Sequence, residues 1–202
     1  MLAAVRARGG FSIVDEIYQG LSFDHKPQSA LEFDPDVVTV NSFSKYFNMT
    51  GWRLGWLVVP ETLVPVFEKL AQNLFICPSA IAQHAALACF HPESIATYEE
   101  RRLEFKRRRD FLVPALRELG FQVPVMPDGA FYVYADISQV AHKDAGDSAA
   151  FCMAVLRESG VAIVPGADFG FAAPEKHVRF SYATKYSRIE EAVGRLARLL
   201  GR

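Results

Sequence analysis

The chain has little of what marks several common kinds of site. Its three cysteines, Cys77, Cys89 and Cys152, are odd in number, widely spaced and form no C-x-x-C. A disulfide framework and a thioredoxin-type redox pair are therefore excluded, and reduced, mostly buried thiols are expected. The five histidines, His25, His84, His91, His142 and His177, make no H-E-x-x-H and do not pair with cysteine at zinc spacing. No metal site is expected. The formal net charge of −1 offers no general attraction to nucleic acid or to an anionic membrane, so neither is an expected partner. No apolar run reaches spanning length, and the N-terminus lacks the charged-then-apolar pattern of a signal peptide. A cytoplasmic protein is the expectation. No internal repeat or low-complexity segment occurs.

What is present is ordinary for a globular protein: 202 residues, 50% hydrophobic and 22% charged. That length suffices for one sizeable core or two small ones. The basic run Arg101-Arg102-Leu103-Glu104-Phe105-Lys106-Arg107-Arg108-Arg109 is diluted by Glu99, Glu100 and Glu104. It reads as a solvated helix face with local ion pairs from Glu104 to Arg107 and Arg108.

The pattern along the chain argues for α/β architecture. Leu2 to Arg6 reads as a helix end closed by Gly9-Gly10. Phe11-Ser12-Ile13-Val14 reads as a buried strand stopping at Asp15, Asp36 to Asn41 as a second strand, and Trp52 to Val59 as a third, ended by Pro60. A helix opens at Pro60-Glu61. Ser79 is a suitable N-cap for Ala80 to Cys89. A long helix is expected from about His91 to Leu119, stopped at Gly120. Beyond it, short strands (Gln122–Val125, Ala130–Tyr134, Ala162–Val164, Val178–Ser181) alternate with helices at Ser148–Ser159 and Ser187–Leu200. That is a small α+β layer. The expected division is 1–111 and 112–202, inside the long helix.

The most informative run is Asn41-Ser42-Phe43-Ser44-Lys45-Tyr46-Phe47-Asn48-Met49-Thr50-Gly51-Trp52-Arg53-Leu54-Gly55-Trp56, with Val14-Asp15-Glu16-Ile17-Tyr18 upstream. Together these supply an amine, a carboxylate, a phenol, hydroxyls and a guanidinium. That set suits a pyridoxal 5'-phosphate (PLP) site. The chain resembles the C-terminal portion of a class I/II, fold type I, PLP-dependent aminotransferase. The resemblance rests on Asp15-Glu16-Ile17-Tyr18, Ser42-Phe43-Ser44-Lys45, Thr50-Gly51-Trp52-Arg53-Leu54-Gly55, Pro127-Asp128-Gly129-Ala130-Phe131-Tyr132, Pro165-Gly166 and Val178-Arg179-Phe180-Ser181-Tyr182-Ala183, in the family's order.

The resemblance implies part of a large domain, an incomplete mixed sheet with helices, followed by a small α+β domain. It implies that Asp15 partners the cofactor's pyridine nitrogen and that Tyr18 donates to its phenolate oxygen. Lys45 would be the Schiff-base lysine and, once displaced by substrate, a proton shuttle. Ser42, Ser44 and Arg53 would hold the phosphate. Arg179 would grip the substrate α-carboxylate, with Gly129, Tyr132, Pro165-Gly166 and Phe169-Gly170 on the substrate side. The activity implied is transamination between an amino acid and a 2-oxo acid. The same cofactor residues would serve a C–S lyase, a decarboxylase or a synthase, although Arg179 argues for keeping the carboxylate. An aminotransferase-like sensor domain and an inactive fragment are the further alternatives. The family's first half, with its glycine-containing phosphate loop and stacking aromatic ring, is not identifiable before Asp15, so a truncated chain is expected. Gln72–Ser79 resembles the segment near the family's dimer interface, which implies a homodimer at full length.

Overall fold

The computed structural model describes all 202 residues, Met1 to Arg202. The chain divides into two compact units, Met1–Arg102 and Leu103–Arg202, parting within one long helix. The expected boundary lay further along that same helix.

The first unit begins with α1 (Leu2–Arg6) and carries a three-stranded sheet of β1 (Ile13–Asp15), β2 (Val38–Ser42) and β3 (Gly55–Val58), in that order. β1 runs parallel to β2, with Asp15 opposite Val40. β3 runs antiparallel to β2, with Ser42 opposite Gly55. The sheet is therefore mixed, as expected. The β-branched residues Val37, Val38 and Thr39 are buried and fix β2 as the central strand. The helices are α2 (Val64–Leu74), α3 (Ala80–Leu87) and the first turns of α4 (Pro92–Glu118). Ser79 caps α3 through its hydroxyl, which accepts from the Ala82 N–H at 3.5 Å. The core of this unit is Phe43, Met49, Leu54, Ala82, Ala86 and Cys89, flanked by Phe47, Ala85 and Tyr98.

Two readings of this unit need correction. The third strand starts at Gly55 rather than Trp52, because Thr50–Trp52 form a 3-10 turn and Arg53 is left-handed at φ 55°. The first strand is not buried: Ile13 is 60% exposed and Phe11 75%. β1 is an edge strand, and Phe11 and Ile13 leave its apolar side open. The same holds along β3, all of whose residues are exposed, and along α2, which has an apolar stripe (Val66, Leu70, Leu74) but no buried residue.

The second unit pairs the remainder of α4 with α5 (Ser148–Ser159), α6 (Tyr186–Leu199) and an antiparallel sheet of β4 (Tyr132–Asp136), β6 (His177–Ser181) and β5 (Val164–Pro165), in that order. Its core includes Val113, Leu116, Phe121, Val133, Ile137, Phe151, Val155, Val178 and Tyr182. Alternation decides which side chains face away from it. Val133 and Ala135 point inward, as do Val178 and Phe180, so Tyr132, Tyr134, His177 and Arg179 share the opposite face. Asp147 caps α5, accepting from the Ala149 and Ala150 N–H groups at 3.0 Å each. Gln122–Val125 forms only an isolated bridge, Gln122 to Asp136, because Pro124 lacks the donor a ladder needs.

The basic run on α4 is partly as expected. Arg108 and Arg107 pair with Glu104 at 2.9 and 3.4 Å. Arg109 departs from it. It is buried, donating to the Pro127 carbonyl at 2.6 Å and pairing with Asp110. A guanidinium can enter a core when backbone carbonyls satisfy its fork.

Two measurements check this description. The 202-residue polypeptide made by itself should bind the dye ANS and sediment as species larger than a monomer, because β1, β3 and α2 all expose apolar side chains. A dye-silent monomer would contradict it. Gly55→Ala should cost about 1–3 kcal/mol in denaturant unfolding, as overpacking does. Its new Cβ would lie 2.6 Å from the Asn41 carbonyl oxygen across the β2–β3 pair. Unchanged stability would show that the two strands part readily.

Candidate active site

Asp15 ends β1, Ser42 ends β2, and Arg53 precedes the antiparallel β3. All three therefore lie at one edge of the sheet, the carboxyl end of its parallel strands. In open α/β sheets this edge is where ligands bind. Lys45 sits in the turn that follows β2, and its Nζ lies over the Tyr18 ring, 5.7 Å from the centroid. The structure thus brings together the amine and the phenol that the sequence sets 27 residues apart.

The turn is held by its own polar atoms. Ser42 Oγ donates to Ser44 Oγ (3.0 Å) and lies 3.2 Å from the Leu54 carbonyl oxygen. The Ser44 N–H donates to Ser42 Oγ at 3.0 Å. Thr50 Oγ1 donates to the Ser44 carbonyl at 2.6 Å, and Arg53 Nη1 to the Thr50 carbonyl at 2.9 Å. The two serines and Arg53 consequently lie in one connected loop. Asp15 also serves its own turn, since its Oδ1 accepts from the Ile17 N–H at 3.0 Å.

Three neighbouring groups carried no sequence signal as site residues. Glu16 is buried and takes the Ala30 N–H at 2.7 Å and the Ser29 hydroxyl at 3.0 Å, which pins the loop after β1. Glu99 and Arg102, on α4, reach the lysine turn through Tyr46, whose hydroxyl donates to Glu99 Oε1 at 2.7 Å. Burial, then the bond to Glu99 and its charge, push the Tyr46 phenol up to about 12. Burial raises the Glu99 carboxyl, but its bonds from Tyr46 and Arg102 outweigh that and hold it below the ordinary range. Only folding brings these positions together, so no spacing rule could have found them.

In the second unit, Arg179 lies opposite Tyr134 in the β4–β6 register. Its guanidinium carbon sits 4.2 Å from the Tyr132 ring centroid and 4.1 Å from that of Phe169. Its Nε is buried without a hydrogen-bond partner. An unsatisfied donor of this kind is costly and calls for an acceptor such as a carboxylate. Gly166 and Phe169 lie beside this face; Gly166 packs against Tyr134 Oη and the Pro174 and His177 carbonyls.

The donor set of the first unit fits PLP. It offers an amine for the aldehyde, a carboxylate for the pyridinium nitrogen, a phenol for the ring oxygen, and two hydroxyls with a guanidinium for the phosphate. Each type matches the charge of its counterpart.

Comparison with known proteins identifies the family. The family model described as aminotransferase class I and II matches residues 1–196. The valine–pyruvate aminotransferase of Mycobacterium tuberculosis is 43% identical over 91% of this chain and 47% of its own length. The aspartate/prephenate aminotransferase of Thermus thermophilus is 37% identical over 100% of this chain and 51% of its own length. The crystal structure of an aminotransferase from Mycobacterium tuberculosis superposes with a TM-score of 0.91 at 40% identity, covering 99% of this chain and 51% of that one. The chain spans about half the length of the curated relatives it matches. Members of this family use pyridoxal 5'-phosphate, and the chain belongs to the class I and II aminotransferases.

Proposed function

We propose that the protein transfers an amino group between an α-amino acid and a 2-oxo acid, with PLP held at Lys45. The observation that carries this reading is the Lys45 amine over the Tyr18 ring, at the sheet edge that Asp15, Ser42 and Arg53 share. When bound, the cofactor supplies an electron sink for the pair left at the substrate Cα. The protein's residues supply the rest. Asp15 would keep the pyridine nitrogen protonated by its negative charge. Ser42, Ser44 and Arg53 would bind the phosphate. Tyr18 would donate a hydrogen bond to the ring oxygen. Lys45 Nζ would hold the cofactor by condensing with its aldehyde, with loss of water, and, once the substrate amine has taken its place, would hold the proton that leaves Cα.

Arg179, on the second unit, is proposed to take the substrate α-carboxylate. Its buried Nε wants an acceptor, and a carboxylate presents two oxygens to a guanidinium fork. Keeping that carboxylate bound favours transamination over decarboxylation. A homodimer is proposed for the complete protein. The exposed Leu74, Phe75 and Ile76, within the segment resembling the family's interface, support it.

Borohydride reduction of the PLP-loaded protein, followed by peptide mapping, should place the pyridoxyl group on Lys45. Label on another lysine would sink the assignment. Lys45→Ala should lower turnover of the complete enzyme by at least ~10³-fold.

Arg179→Lys should reduce kcat/KM for monocarboxylic and dicarboxylic amino acids alike. Losing one arm of a charged fork costs about 1.5–3 kcal/mol. Unaltered kinetics would make Arg179 a structural arginine.

A further inference from the structure

Lys45 sits in the turn after β2, and Tyr18 caps a separate 3-10 turn, Gln19–Leu21. Something must hold one against the other if the amine is to keep its place over the ring. Three contacts do so, and they close a circuit. The first is packing. Tyr46, next to Lys45, lies flush on Gly20, two residues beyond Tyr18; a Cβ there would fall 2.5 Å from the Tyr46 ring. Only glycine allows that approach. The second is the Tyr46 hydroxyl, which donates to Glu99 Oε1 at 2.7 Å. The third returns to the first loop. Arg102 Nε donates to Glu99 Oε2 at 2.8 Å, and Arg102 Nη1 donates to the Ser22 carbonyl at 3.0 Å. One carboxylate on α4 thus receives a bond from each side, directly from the lysine loop and through Arg102 from the tyrosine loop.

We propose that Glu99 and Tyr46 are positioning residues, which fix the Lys45 amine over Tyr18 by tying both loops to α4. The proposal rests on the reading of Lys45 as the cofactor lysine, but the latch itself is testable without cofactor. Both hydrogen bonds to Glu99 are charge-assisted, the stronger kind. They share one acceptor group, so Glu99→Ala already removes the bond that Tyr46→Phe removes. The two substitutions should therefore not add. Phe43 and Phe47 anchor the lysine loop to the core independently, so the loop should loosen without unfolding.

The experiment compares Tyr46→Phe, Glu99→Ala and the double variant with the parent chain. Tyr46→Phe keeps the ring and removes one oxygen, which preserves folding even where Glu99→Ala does not. Without cofactor, hydrogen exchange of the peptide covering 43–47 should rise by about tenfold in Tyr46→Phe, and that of both 43–47 and 18–22 in Glu99→Ala, the scale expected when a bond to a charged group is lost. Exchange within α3 should stay unchanged. Competitive acetylation should show the Lys45 rate altered relative to Lys69. The double variant should equal Glu99→Ala. With PLP added, the absorbance band of the lysine-bound cofactor should shift its pH midpoint in the variants, which a merely structural role would not move. Unchanged exchange of 43–47 in Tyr46→Phe, or of 18–22 in Glu99→Ala, would overturn the latch. Loosened loops with an unaltered Lys45 acetylation rate would overturn the positioning role. Additive effects in the double variant would show two separate anchors and refute the shared acceptor. A parent chain that takes no PLP at Lys45 would sink the functional reading alone, with exchange and acetylation still deciding the latch.

Discussion

The chain's return at Leu54 to the end of its own strand is the constraint on which the chemistry of the first unit depends. The Phe43 N–H donates to the Leu54 carbonyl at 3.1 Å, and the Met49 N–H to the Phe43 carbonyl at 2.9 Å. Phe43, Met49 and Leu54 are all buried in one cluster. Burying a side chain of this size contributes roughly 1.5–3 kcal/mol. These anchors alternate with the polar positions. Ser42 and Ser44 flank Phe43, while Arg53 and Gly55 flank Leu54. Each inward apolar residue therefore turns its polar neighbours outward, toward the edge where Asp15 also ends.

The second unit obeys the same rule in a sheet. Val178 and Phe180 enter the core, which obliges Arg179 to the other face. Tyr132 occupies that face for the same reason, and the chain after β5 brings Phe169 to the other side of the guanidinium. Arginine tolerates this better than lysine would. Its delocalised charge is weakly hydrated and stacks on rings, whereas an ammonium would lose more solvation.

Much of this was legible in the sequence, and the exceptions have physical causes. Helix α5 was read at its observed bounds because Asp147 caps one end and Gly160, at φ 69°, stops the other. Both signals are local. The third strand was read too long because Arg53 adopts a left-handed conformation that its residue type does not announce. β1 was read as buried because an apolar run says only that a cover suits it, not that residues of the same unit provide one. Arg109 was read as solvated because a basic helix face does not reveal which of its members meets the Pro127 carbonyl. The lysine, serines, tyrosine and arginine of the first unit stood out by residue type and order. Glu99 did not, being 53 residues from Tyr46.

The two charged groups proposed to do most of the chemistry are held by different physical means, and the difference follows from their tasks. Arg179 is held by stacking. Ring faces use none of its N–H donors, so its grip is set while its hydrogen bonds stay available for a carboxylate. A lysine proposed to bind, let go and take up a proton has a different task. Strong bonds hold its neighbours in the chain. Tyr46 carries the bond to Glu99 and the packing on Gly20, while the serine and threonine hydroxyls hold the backbone of the turn. The turn is thereby rigid where the chain must be fixed, and the four-carbon stem of Lys45 supplies the movement where the amine must travel.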